Sequence, residues 1–292
     1  MPATPVLLPI LALLLAATFW GLIWWPLRAL EQAGLTGAWQ ALASYAAGLV
    51  VLAPLAWRHR AELRHHGRAL WLLALAAGWT NVAFILAVLD GTVVRVLLLF
   101  YLSPVWSALL GRIFLQEPLT ARTAATLSLG LAGTLLMLWD PTAGMLAGFG
   151  VADWLALSSG LAFAATNVAT RHLQGVSLWS RTWMTQLGVV GVAGLAILWL
   201  GQAPPAVGPE AWSGAAALGL VGFLFITLAV VYGVSHMPIQ RSAVIMLFEI
   251  LVGALSAWVL AGEALTLSEW LGGALILAAG LVAIRPAGRG AE

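Results

Sequence analysis

Long charge-free stretches alternate with short polar interruptions along the whole chain. The pattern predicts membrane-spanning helices over residues 6–27, 37–57, 69–89, 92–112, 121–139, 151–171, 181–201, 211–233, 238–260 and 267–285. Each is close to the ~20 apolar residues that a helix needs to cross a hydrocarbon layer ~30 Å thick. Between them lie Gly34-Leu35-Thr36-Gly37, an Arg/His-rich run at 58–68, Asp90-Gly91, Gln116-Glu117-Pro118, Asp140-Pro141, a Pro-containing run at 202–209, Met237-Pro238 and Gly262-Glu263. In lipid the backbone must satisfy its own hydrogen bonds, and these stretches are too long and too evenly apolar for barrel strands, so the spanning element is the α-helix.

Composition sharpens this picture. Of 292 residues, 62% are hydrophobic and only 8% charged, against about 25% charged in soluble domains. Ten helices use roughly 200 residues and leave short loops with no room for a separate soluble domain. The fold class is therefore an all-α integral membrane protein of ten transmembrane helices, with the lipid bilayer as its solvent. The first apolar stretch lacks a basic leader and is too long for a signal-peptide core, so it reads as a retained helix.

Every cation is an arginine, thirteen in all, and the net charge is only +2. No Arg-rich face is interleaved with exposed aromatics, so a nucleic-acid partner is not expected. Without cysteine there are neither disulfides nor thiolate metal sites. With the N-terminus placed inside, the inner side holds eleven arginines: Arg58, Arg60, Arg64, Arg68, Arg112, Arg122, Arg171, Arg181, Arg241, Arg285 and Arg289. Arg28 and Arg95 are left outside, and the split orients the chain N-in and C-in. Of the sixteen tryptophans, Trp57, Trp71, Trp139, Trp154, Trp199, Trp212 and Trp270 fall near span ends, as in an interfacial belt. Trp20, Trp79 and Trp106 lie deeper.

A shift of 146 residues lays 95–120 on 241–266, with identities Arg95/Arg241, Ala108/Ala254, Leu109/Leu255, Glu117/Glu263, Leu119/Leu265 and Thr120/Thr266. The Glu-x-Leu-Thr element closes a span both times. A five-helix unit crosses the bilayer an odd number of times, so a second copy sits upside down. Residues 1–140 and 141–292 are thus expected to be two inverted five-helix repeats, an arrangement suited to transporters that rock around a central site.

Trp20-Gly21 in the first span, Ser103-Pro104 in the fourth, Leu115-x-Glu117-x-Leu119-Thr120 after it and Glu263-x-Leu265-Thr266 in the second half resemble the drug/metabolite transporter superfamily of EamA type. Among its members the chain is most similar to YddG-type aromatic amino-acid exporters. The resemblance implies ten helices in two inverted repeats and export of amino acids or other metabolites. One departure stands out. The ninth span carries Glu249-Ile250 where the fourth carries Ser103-Pro104, so a proline bend is expected in the fourth span and not in the ninth.

Glu249 is the most informative residue. It lies mid-span with no other charge between Arg241 and Glu263. An ionised carboxylate at that depth is costly and should face protein or water. It reads either as a partner for a substrate ammonium or a proton, or as a structural carboxyl bonded to a neighbouring helix. Ser242, Met246, Glu249, Gly253 and Ser256 share its helix face, either lining a path or forming a packing seam. Pro104 frees a carbonyl and bends its helix, beside Tyr101 and Ser103. Phe163 and Asn167 in the sixth span, Asn81 in the third, Trp20 and Trp24 in the first and Tyr232 in the eighth complete the candidate lining. Asn81 equally suits an inter-helix hydrogen bond. Arg95 and Arg241, at matching positions, are candidate gates with Pro104 as hinge.

The chain has no Walker A, H-E-x-x-H, G-x-S-x-G or G-x-G-x-x-G sequence, so neither an enzyme nor direct ATP drive is expected, and no cofactor or metal is called for. The reading is an inner-membrane exporter of amino acids, aromatic or broadly hydrophobic, by alternating access. Export of another metabolite or a cationic drug is the alternative within the class. An intramembrane enzyme or a non-transporting assembly factor is the alternative outside it.

Overall fold

In the computed structural model, residues 7–90, 93–137, 150–261 and 266–284 are described, and helix is the only extended regular structure among them. In chain order these are α1 (Leu7–Leu22), α2 (Trp24–Gln32), α3 (Gly37–Arg58), α4 (Arg60–His65), α5 (Gly67–Asp90), α6 (Val93–Phe100), α7 (Ser103–Phe114), α8 (Ala121–Met137), α9 (Val151–His172), α10 (Leu178–Trp199) and α11 (Pro209–Ala217). A π-helical stretch (Leu218–Phe223) joins α11 to α12 (Leu224–Ser235), followed by α13 (Ile239–Met246), α14 (Phe248–Ala261) and α15 (Leu267–Ile284). By length and apolarity six stretches among the described residues can cross a membrane: Leu7–Gln32, Gly37–Arg58, Gly67–Ala87, Leu178–Trp199, Pro209–Ser235 and Ile239–Leu260. The protein is a multi-pass membrane protein.

Helix α4 corrects the expected loop at 58–68. Glu62 in its first turn and Arg64 and His65 in its last complement the peptide dipoles of this short polar helix.

Small residues set the helix spacing. A side chain at Gly188 of α10 would overlap the Ala74 carbonyl of α5, and one at Gly133 of α8 would stand 2.6 Å from the Gly272 carbonyl of α15. With little hydrophobic drive between helices in lipid, such close backbone approach supplies the packing energy. The resulting neighbours are α3 with α10, α5 with α9 and α10, α8 with α15, α1 with α12 and α14, and α7 with α9 and α13. Trp57, Trp71, Trp154, Trp199 and Trp270 are exposed at helix ends, whereas Trp139 lies outside the described residues.

Among the described residues three of the predicted spans are broken, the first span at Ile23, between α1 and α2. The fourth is interrupted at Tyr101-Leu102, between α6 and α7, and the ninth at Leu247, between α13 and α14. Tyr101 and Leu247 are 146 residues apart, the same shift that relates the two halves of the sequence. Pro104 occupies the first turn of α7 rather than a helix interior, and it has no N–H for the Phe100 carbonyl. That carbonyl is directed at α9 instead, where a side chain at Gly160 would stand 2.7 Å from it. The ninth span breaks without proline, contrary to expectation. There the Leu247 and Ile250 N–H groups reach only three residues back, to Val244 at 3.2 Å and Leu247 at 3.1 Å, a tighter turn than the α-helix.

Candidate functional site

The breaks in the fourth and ninth spans face each other. The Tyr101 hydroxyl donates to Glu249 Oε1 at 2.7 Å. Around this bond Phe100, Tyr101, Ser103, Pro104, Phe163, Ala243, Met246, Leu247 and Glu249 line a cavity. It is narrow, with ≈10 Å³ available to the centre of a water-sized sphere, room for about one water. The Phe100 ring stands 5.5 Å from Tyr101 and 5.6 Å from Phe163, so one wall is aromatic. One carboxylate among aromatic and small apolar groups can hold an ammonium, by charge and by cation–π attraction.

Six residues singled out by the sequence therefore meet here: Tyr101, Ser103, Phe163, Met246, Glu249 and Pro104. Phe100, Ala243 and Leu247 join them unannounced. The repeat shift contains the signal for two of these, because Phe100 pairs with Met246, Tyr101 with Leu247 and Ser103 with Glu249 at 146 residues.

Other candidates are placed elsewhere. Asn81 Oδ1 accepts from the Tyr45 hydroxyl at 3.1 Å, and its amide donates to the Ala77 carbonyl at 2.9 Å, so it takes the inter-helix bonding open to it rather than a place in the lining. Trp20 packs on Phe223, ring centroids 5.8 Å apart, in the core rather than in the lining. Tyr232 packs on His236, ring centroids 4.3 Å apart and tilted by 37°, near the end of α12. Asn167 is buried one turn beyond Phe163. Arg241 is partly buried in the first turn of α13. The side chains of Trp24 and Arg95 lie outside the described residues. The face of the ninth span divides by depth. Met246 and Glu249 face the cavity, while a side chain at Gly21 would stand 2.9 Å from the Gly253 nitrogen and Ser256 Oγ lies 3.3 Å from the Gly21 carbonyl, a packing seam with α1.

A polar network closes the arginine-rich end. Glu117 Oε2 accepts from the Ile239 N–H at 2.8 Å, at the start of α13, and Glu117 Oε1 lies 3.5 Å from Arg171 Nε. A carboxylate here is favoured by the helix N-terminus. On α4, Glu62 accepts from the Ser177 N–H at 3.1 Å and the Ser180 hydroxyl at 2.7 Å. Partial burial works to raise the Glu62 carboxyl, but these donors and nearby His59 outweigh it and hold it below the usual carboxylate range.

The EamA-like transporter family matches the chain twice, over residues 7–139 and 150–285. An uncharacterized transporter from Archaeoglobus fulgidus is 32% identical over 221 residues, 75% of this chain and 77% of that protein. A solved crystal structure shares the fold with a TM-score of 0.73 at 18% identity, covering 94% of this chain and 96% of the other.

Proposed function

The chain belongs to the EamA-like transporter family, and from that premise we propose that it exports amino acids, aromatic or broadly hydrophobic ones, across the inner membrane by alternating access. The site is the cavity between the breaks of the fourth and ninth spans. The observation that carries this reading is the Tyr101–Glu249 hydrogen bond, which ties the broken fourth and ninth spans together beside aromatic walls. Glu249 takes the solute ammonium and Phe100, Tyr101 and Phe163 take its apolar side chain.

The cavity is too small for an amino acid as it stands, so binding requires the walls to part. Helices that lack continuous hydrogen bonding bend at their breaks, and Pro104 and the turn at Leu247 are the hinges. The packing supports two inverted five-helix repeats at 1–140 and 141–292, and with ten crossings the arginine bias of the sequence puts both termini inside. Exchanging the halves maps α1 on α14 to α9 on α7, and α3 on α10 and α8 on α15 onto themselves. Arg95 and Arg241 are proposed as matching gate residues.

Among the described residues the lining contains one carboxylate and no cation, which also favours a cationic amine or drug as the second reading. Flux of labelled amino acids and amines in proteoliposomes decides, with wild type and Glu249→Gln compared with and without a pH gradient. Saturable movement of tryptophan, phenylalanine or methionine supports the proposal. A gradient that speeds wild type but not the variant makes Glu249 the proton-coupling group. Movement of amines alone overturns the amino-acid reading.

A further inference from the structure

A zwitterionic solute has a carboxylate as well as an ammonium, and among the described residues the lining of the cavity at the breaks supplies no cation for it. Two arginines stand beyond the cavity. Arg171 lies in the last turn of α9, the helix that carries Phe163, and Arg181 lies in the first turn of the following helix, α10. Both converge on Ser235 at the end of α12. Arg171 donates to the Ser235 carbonyl, and Arg181 donates to the Ser235 hydroxyl and, at 3.0 Å, to the Thr170 carbonyl.

Arg181 is only 4% exposed, and its Nε has no acceptor. Arg171 is paired with Glu117. Among the described residues no carboxylate lies within 4.0 Å of Arg181. Glu62 acts on it through space, but that carboxylate is engaged by Ser177 and Ser180. A buried guanidinium without an ion partner is costly, and buried charges in membrane proteins mark solute paths.

We propose that Arg181, seconded by Arg171, is a carboxylate-binding subsite on the solute path at the arginine-rich end. Thr170 lies seven residues along α9 from Phe163, about 10 Å of helix. The ammonium and carboxylate of an α-amino acid are bonded to the same carbon and cannot span that distance, so the subsite is a separate station rather than a second half of the cavity. This deepens the amino-acid reading and rests on it. The path binds carboxylate at one station and ammonium at the other, which selects zwitterions over plain amines.

The test uses purified full-length protein in detergent and needs no flux. Thermal unfolding is followed with indole-3-propionate, tryptophan and tryptamine as probes. Wild type is expected to be stabilised by the two carboxylates, and Arg181→Gln to bind them about tenfold or more weakly, the scale of a lost charge-assisted hydrogen bond, with tryptamine unchanged. Ser235→Ala keeps the guanidinium but removes one of its acceptors, and serves if Arg181→Gln does not fold. It is expected to shift carboxylate binding alone. No stabilisation of wild type by carboxylates overturns the subsite, as does an equal effect of either variant on tryptamine. Failure of amino-acid flux with carboxylate binding intact overturns the substrate reading instead.

Discussion

Replacing Tyr101 with Phe removes the hydroxyl that links the breaks of the fourth and ninth spans at 2.7 Å and leaves the ring against Phe100. Glu249 then keeps its carboxyl in the same cavity without that donor. A lost hydrogen bond to an ionised acceptor costs about 1.5–3 kcal/mol, and about 0.5–1.5 to a neutral one. Bonds between helices in membranes average about 0.6 and reach about 1.7. Glu249→Leu is the reciprocal change, since Gln would still accept, and it orphans the Tyr101 hydroxyl. The double variant leaves neither partner unpaired and should cost less than the sum of the single ones. The predicted coupling is about 0.6–1.7 kcal/mol, measured as a double-mutant cycle by reversible unfolding in mixed micelles. Strictly additive single costs, within about 0.3–0.5 kcal/mol, would refute the claim that this bond joins the breaks.

Gly188→Val drives a branched side chain into the Ala74 backbone and should lower stability by about 1–3 kcal/mol or more, whereas Gly191→Ala meets nothing within 4 Å and should change stability by less than about 0.5 kcal/mol, both read from unfolding in mixed micelles. The chain has no cysteine, so single-cysteine labelling tests orientation cleanly: an impermeant maleimide should reach Ala203→Cys in intact cells and Ala61→Cys only after permeabilisation. Glu62 is held below its ordinary carboxylate range, so its contribution is present above the unfolded value near pH ~4.3 and is lost as pH falls through the folded one. Wild type should therefore unfold at a higher temperature than Glu62→Gln at pH ~7, and the two should converge in acid.

Helix positions are legible in the sequence because lipid leaves the backbone one solution. Charge-poor stretches such as 37–57 and 151–171 correspond to α3 and α9 within a residue or two. The breaks are legible only in part. Pro104 announces one, but the turn at Leu247 carries no proline. Glu249 stands out by its isolation among apolar residues, and its partner Tyr101 by proximity to Pro104. Asn81 is ambiguous in the sequence because an amide in lipid must find some partner, and periodicity does not reveal that the partner is Tyr45. The network at Arg171, Arg181 and Ser235 joins residues scattered over some 65 positions, and no local pattern connects them.

Counterflow measures the central claim most directly. Proteoliposomes loaded with unlabelled tryptophan, phenylalanine or methionine are exposed to trace label outside, so that binding and reorientation are read without any driving gradient. The account predicts saturable accumulation by wild type, and its loss in folded Tyr101→Phe and Glu249→Leu proteins. Absence of counterflow with every amino acid, from protein shown to be folded, would contradict it.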